Sequence, residues 1–399
     1  MPADTVESRP KLPTSVDGAD LGRWLLDPAI TFLNHGSFGA RTREVAEVQS
    51  RWRLEVDARP IEMLDRRLPD LVNQAMAAVG GMLGMSPSNF GFVTNATGGV
   101  NAVMRSLQLR PGDEVLTTDH VYNAVRNTMR HLIERAGGRY VQVSTPFPQT
   151  ASEQVVDSIE RAISPRTKLV LVDHVTSPTA VIFPVRRIVD LCRARGIEVM
   201  IDGAHAPGML DLDVESIGAT YYTGNLHKWV CAPIGAAFLW VDPARQRDIH
   251  PTTISHHLDQ GLAAEFGWQG TRDVTPWLTV PAAIEWMGRL GWERVRAHNH
   301  ALAMWAHSLL TAKFGIEPAT PADGSLLGSM AAMILPESLR KQFESAQAMR
   351  DHLYFDHRIE VPVFEWNGRW LLRISCQVYN RVQDYERLAS VVRRLMDGC

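Results

Sequence analysis

Tyr222-Thr223-Gly224-Asn225-Leu226-His227-Lys228-Trp229, read with Asp202-Gly203-Ala204-His205 upstream, is the stretch that decides the fold of this chain. Val199-Met200-Ile201 is a short apolar, β-prone run, so Asp202 falls at the carboxyl end of a buried strand. Open α/β sheets bind their ligands at that edge. Ala236-Ala237-Phe238-Leu239-Trp240-Val241 reads as the next strand, which leaves Lys228 in a small polar turn between two strands. A lone strand-end aspartate or a lone lysine signifies little beyond solubility; it is the combination that narrows the chemistry.

An enzyme that uses pyridoxal 5′-phosphate (PLP) needs this pair. Lys228 is the expected Schiff-base amine for the cofactor aldehyde. Asp202 is the expected partner of the pyridine nitrogen, keeping it protonated so that the ring draws electrons from a substrate α-carbon. His227 is expected beside the phosphate and His205 facing the ring.

Composition agrees with a small-molecule enzyme. The 399 residues are 45% hydrophobic and 21% charged, enough for a large and a smaller domain. A net charge of −3, with no broad basic surface, argues against nucleic acid or anionic membrane as partners. No run approaches the ~20 apolar residues of a membrane span, and Met1 to Asp20 lacks the apolar centre of a signal peptide, so a cytoplasmic location is expected. Cys192, Cys231, Cys376 and Cys399 show no CxxC or histidine-paired spacing, so neither a metal site nor a disulfide framework is indicated; all but Cys399, at the chain end, are expected to be buried. His256-His257 is the one adjacent histidine pair, and adjacent side chains diverge.

Along the chain the expected division is a loose N-terminal arm (1–30), a large PLP-binding domain (31–285) and a small C-terminal domain (286–399). Thr31-Phe32-Leu33 is an extended run ending in Asn34-His35-Gly36-Ser37-Phe38-Gly39, a turn that allows close approach of a ligand or backbone. Asn34 and His35 are candidate substrate contacts, with Trp268, Trp277 and Tyr379 as further candidates for the pocket lining. Arg41 to Leu68 is helical with a break at Pro60, and Leu71 to Leu83 is a second helix. Strands at 90–94, 114–117, 139–143, 168–172 and 198–201 then alternate with helices at 99–107, 121–134, 151–163 and 185–194. That alternation predicts an α/β fold with a mostly parallel, doubly wound sheet. A long helical region from Val280 to about Phe314 leads to an α+β domain with strands at 329–335, 361–366 and 370–374 and helices at 337–356 and 382–396.

Three further strand ends carry candidates. Asn95-Ala96-Thr97-Gly98-Gly99 follows a strand and opens a helix, whose free N–H groups suit a phosphate; the GxGxxG spacing of a dinucleotide site is missing. Asp119-His120-Val121-Tyr122 begins another helix, with Tyr122 the preferred ring to stack on the cofactor and His120 its competitor. His174-Val175-Thr176-Ser177 offers hydroxyls for the cofactor phenolate, Ser177 before Thr176.

The ordered set LNHGSFG, TNATGGVNAV, DHVYNAV, DGAHAPG, GNLHKW, GTRDVTPW and LRISCQVYN resembles the class V aminotransferase family of fold-type I PLP enzymes, in its isopenicillin N epimerase-like branch. The resemblance runs from about Leu33 to the C-terminus. It implies the same roles for Lys228, Asp202 and His205, phosphate contacts from Ala96, Thr97, Asn225 and His227, and a substrate-carboxylate role for Arg373. It also implies a homodimer in which Thr271 reaches the partner's phosphate. Related enzymes often have serine where this chain has Asn225.

Lys228 can take the α-proton of an amino-acid substrate, and three outcomes follow from there: return of a proton to the opposite face, loss of a β-substituent, or transfer of the amino group. The first outcome, epimerisation, rests on the resemblance. A persulfide-forming desulfurase is disfavoured because no cysteine lies between Asp242 and Ser375; direct C–S lyase chemistry is the main rival, with transamination and a non-catalytic PLP-binding role behind it.

Overall fold

The computed structural model describes Val16 and residues 20–398. Most of the expected N-terminal arm, and Cys399, lie outside the described residues. Within the described part of the arm, Trp24 is buried in edge-on contact with Trp286 and Tyr379.

The strands are β1 (Thr31–Phe32), β2 (Phe90–Val93), β3 (Glu114–Thr118), β4 (Arg139–Val143), β5 (Thr167–Asp173), β6 (Glu198–Asp202), β7 (Tyr221–Asn225), β8 (Ala237–Val241), β9 (Met330–Ile334), β10 (Ile359–Glu360), β11 (Val363–Trp366) and β12 (Arg369–Ser375). The helices are α1 (Arg43–Ala58), α2 (Leu68–Leu83), α3 (Ala96–Ser106), α4 (Asn123–Arg135), α5 (Glu153–Ala162), α6 (Val185–Arg193), α7 (Val214–Ile217), α8 (Leu262–Gly267), α9 (Thr275–Leu290), α10 (Trp292–Phe314), α11 (Glu337–Arg340), α12 (Ala346–Phe355) and α13 (Val382–Asp397).

The main sheet runs β2-β8-β7-β6-β5-β3-β4, parallel except for β8, which is antiparallel to both of its neighbours. Helices α3 to α7 cross between successive strands, as parallel pairing requires. No helix crosses between β7 and β8, so the chain turns back on itself and the pair is antiparallel. The inner strands are buried along their length, while the edge strand β4 is largely uncovered. Strand ends at β2, β3, β5, β6 and β7 therefore converge on one edge.

The segment expected to be a single polar turn contains β7. Gly224 and Asn225 are poor strand formers, but pairing with β6 and β8 outweighs their propensity. The long helical region is two helices, broken at Gly291, whose φ of 85° suits glycine. A second core draws on residues from Leu302 to Val392, built on α10, α12, α13 and the antiparallel sheet β11-β12-β9. The start of the chain crosses to it: β1 pairs in parallel with β10, and Leu33 lies in that second core. This strap places the turn Asn34–Gly39 between the two cores.

Candidate active site

Lys228 lies three residues beyond β7 in a loop stitched to its own return. Leu226 and His227 donate their N–H groups to the Ala236 carbonyl at 3.0 and 3.2 Å, and Cys231 N–H donates to the Lys228 carbonyl at 3.0 Å. Cys231 holds a left-handed φ of 61°, a strained conformation in a residue with a side chain. His35 supports the loop from beneath. Ala40 N–H donates to its Nδ1 at 3.2 Å, which leaves Nε2–H to donate to the Lys228 carbonyl at 3.1 Å. A Cβ on Gly39 would lie 2.4 Å from the carbonyl oxygens of both His227 and Lys228, so only glycine fits there.

The Lys228 amine Nζ sits 3.1 Å from His205 Nε2. Burial, helped by the Arg373 charge, brings its pKa down to about 7, so much of it is uncharged and nucleophilic at neutral pH. Burial also drives His205 well below its usual value, aided by Lys228; its Nδ1 is buried with no partner. Asp202 closes β6 and accepts the Ala204 N–H at 3.0 Å. Burial raises its carboxyl, while that N–H and Lys228 oppose the rise.

The first-turn N–H groups of α3 have no partner within the helix. Asn95 caps one, from Gly98, at 2.8 Å, and Asn225 Oδ1 takes the Ala96 N–H at 2.8 Å. Thr97 is left to serve an anion, with the Asn225 amide N–H₂ nearby. His227 is anchored within the Lys228 loop. Its Nδ1 donates to the Ala236 carbonyl at 3.1 Å, and burial lowers its pKa to about 4.

Arg373, on β12, reaches over from the small sheet. Its Nη1 donates to Ser177 O and Oγ at 2.5 and 3.1 Å, its Nη2 to Ser37 Oγ at 3.0 Å, and its Nε is buried without a partner. Burial lowers its pKa only to about 10, so it remains a cation. Tyr122, at the start of α4, is 46% exposed and close enough for its phenol to act on Arg373. His120 faces the opposite way, bonded to Thr179 at 2.6 Å among Phe147, Phe183 and Trp366. Thr176 is likewise buried against Thr179 at 2.7 Å. Of each pair of alternatives, Tyr122 and Ser177 are the ones that stand beside Arg373.

Some candidates lie elsewhere. His35 is fully buried beneath the Lys228 loop with both ring nitrogens engaged, which corrects its reading as a substrate contact. Tyr379 bonds it at 2.9 Å, and Trp277 stacks on Phe92; both are packing residues. Asn34 donates to Glu360 at 2.8 Å and, with Ser37 and Phe38, lines a cleft of about 560 Å³ against α12. Thr271 is exposed ahead of α9 and is not among the residues gathered at Lys228. Cys231 and Cys376 are buried, and burial pushes the Cys376 thiol up to about 12.

Sequence reasoning missed Ser37 and Asp173. Nothing marks Ser37 until the β1 strap carries it to Arg373. Asp173 carries the same signal as Asp202, an aspartate ending an apolar run, and lies one residue beyond the expected strand 168–172.

PLP fits this set. The amine, the strand-end carboxylate, the unpartnered His205 nitrogen and the Thr97 N–H of α3 lie at one edge of the sheet. The class V aminotransferase family model matches residues 51–343, and the chain belongs to that family. It is 35% identical to an isopenicillin N epimerase of Amycolatopsis lactamdurans, over 93% of this chain and 96% of that one. It is 32% identical to a putative L-cysteine desulfhydrase of Oryza sativa subsp. japonica, over 93% and 84%. A structure of a mutant of the cystine C–S lyase C-DES, with glycine covalently linked to its PLP cofactor, superposes with a TM-score of 0.76 at 20% identity, covering 92% of this chain and 96% of that one. The fold is that of fold-type I PLP enzymes, and the cofactor is pyridoxal 5′-phosphate.

Proposed function

We propose that this PLP enzyme moves the α-proton of an amino-acid substrate from one face to the other, as an epimerase of the isopenicillin N epimerase type. The observation that carries this is the Lys228 amine, with its pKa near 7, placed among Asp202, His205 and Arg373. When bound, PLP supplies an electron sink for negative charge at the α-carbon. Lys228 Nζ accepts the α-proton and can return it. Asp202 holds a negative charge at the pyridine nitrogen. Arg373 takes the substrate carboxylate in a bidentate pair, and Ser37 and Ser177 fix the guanidinium in place. Ala96, Thr97, Asn225 and His227 hold the phosphate, Ser177 serves the phenolate oxygen, Tyr122 covers the ring, and Thr271 reaches the phosphate of a partner subunit in a homodimer.

A C–S lyase is the second reading, favoured by the desulfhydrase relatives. A persulfide carrier is not favoured, since among the described residues every cysteine is buried. Incubation of isopenicillin N and of L-cysteine with the enzyme in deuterated water, followed by chiral and mass analysis, tests the choice. The epimerase reading expects an α-deuterated epimer; sulfide and pyruvate from cysteine, with no deuterated epimer from any substrate, would assign a lyase.

A further inference from the structure

Asp173 ends β5 beside Asp202, and the two are partners in register across the parallel β5–β6 ladder. Side chains at one level of such a ladder project to the same face. Both are buried, at 2% and 3% exposure. Two carboxylates so placed would each forgo hydration and repel the other. Their surroundings differ. Asp202 accepts a 3.0 Å hydrogen bond from Ala204 N–H and is drawn to Lys228. Asp173 Oδ2 is buried with no hydrogen-bond partner, and only the backbone N–H groups of Tyr122 and of Asp173 itself lie against its carboxyl. A partnerless anionic oxygen is far costlier to bury than a protonated one.

We propose that Asp173 and Asp202 form a carboxyl pair carrying one proton between them, with Asp173 the neutral member. The inference rests on the PLP reading above. It leaves Asp202 as the single negative charge at the pyridine nitrogen. The groups facing Asp173 are Asp202 from β6, Lys228 from the loop after β7 and the Tyr122 N–H from α4; His174, next in sequence, turns to the Tyr222 hydroxyl at 2.9 Å. Burial, and then the Asp202 charge, raise the Asp173 carboxyl well above its ordinary value, and Lys228 opposes this only in part.

A carboxyl raised in the folded state contributes stability that is full below its unfolded value of about 4 and is lost as pH rises through the folded value. Asp173→Asn stays neutral at every pH. In the PLP-loaded full chain, D173N is therefore expected to melt about 1–3 °C above wild type near pH 7.5, the gain vanishing toward pH 4. It should keep its visible cofactor band and bind PLP within about threefold of wild type. Infrared spectra at neutral pH should show a protonated-carboxyl band in wild type and in Asp202→Asn that D173N lacks; because wild type and D202N already report it, the reading survives a poorly folding D173N. Absence of that band from wild type, or a D173N that melts lower and binds PLP more than tenfold more weakly, overturns the pair. Failure of wild type itself to bind PLP would overturn the cofactor reading instead, and the infrared band would still report the carboxyl.

Discussion

At the scale of single residues, the site depends on charges held out of water. Lys228 is brought to a pKa near 7 chiefly by burial, so the apoprotein's rate of PLP uptake should rise to a plateau with a midpoint near pH 7; a rate still rising toward pH 10 would deny the shift. Asp202→Asn keeps the shape of the side chain but loses the charge that holds the pyridinium proton. It should retain the fold and most PLP while losing activity far beyond tenfold, a threshold of about 1.4 kcal/mol. Arg373→Ala removes a cation whose guanidinium the protein holds by hydrogen bonds to Ser177 and Ser37. The expected result is KM raised about 10- to 100-fold with the cofactor band intact; a bleached band would place Arg373 in cofactor binding.

At the scale of elements, the Lys228 loop is a device for pressing one backbone against another. The Asn34–Gly39 turn arrives on the β1 strap, and Gly39 meets the His227 and Lys228 carbonyls where no Cβ fits. Gly39→Ala should cost about 1–3 kcal/mol and weaken PLP retention, measured by thermal melts and cofactor absorbance; an unchanged melt would show that the loop yields freely. The parallel strands were legible from short apolar runs because burial on both faces leaves no alternation to confuse the pattern. β7 was not, since Gly224 and Asn225 hide a strand that only its neighbours enforce. The strand-end residues Asp202, Ser177 and Tyr122 followed from that sheet. Ser37 and the supporting role of His35 did not, because both depend on a strap whose partner, β10, lies more than three hundred residues away. Long-range pairing leaves no local periodicity to read.

At the scale of the whole molecule, two exposed apolar side chains sit on elements that touch the start of α9. Leu54 on α1 and Ile234 in the Lys228 loop are 68% and 69% exposed. Arg53 ties α1 to Asp273, and Gly235 lies against Pro276, so α1 and the Lys228 loop both meet the start of α9. Exposed apolar side chains of this kind are what a subunit interface would cover. Sedimentation should give twice the mass of one chain, and Leu54→Glu with Ile234→Glu should halve it and weaken PLP binding; a monomeric wild type with full activity would refute a site shared between subunits. Beneath all of this lies the claim that Lys228 anchors the cofactor. Borohydride treatment of the purified, PLP-loaded protein, followed by peptide mapping, tests it directly: the reduced cofactor is expected on Lys228 alone, and a cofactor fixed to another lysine, or none fixed with Lys228 intact, would contradict it.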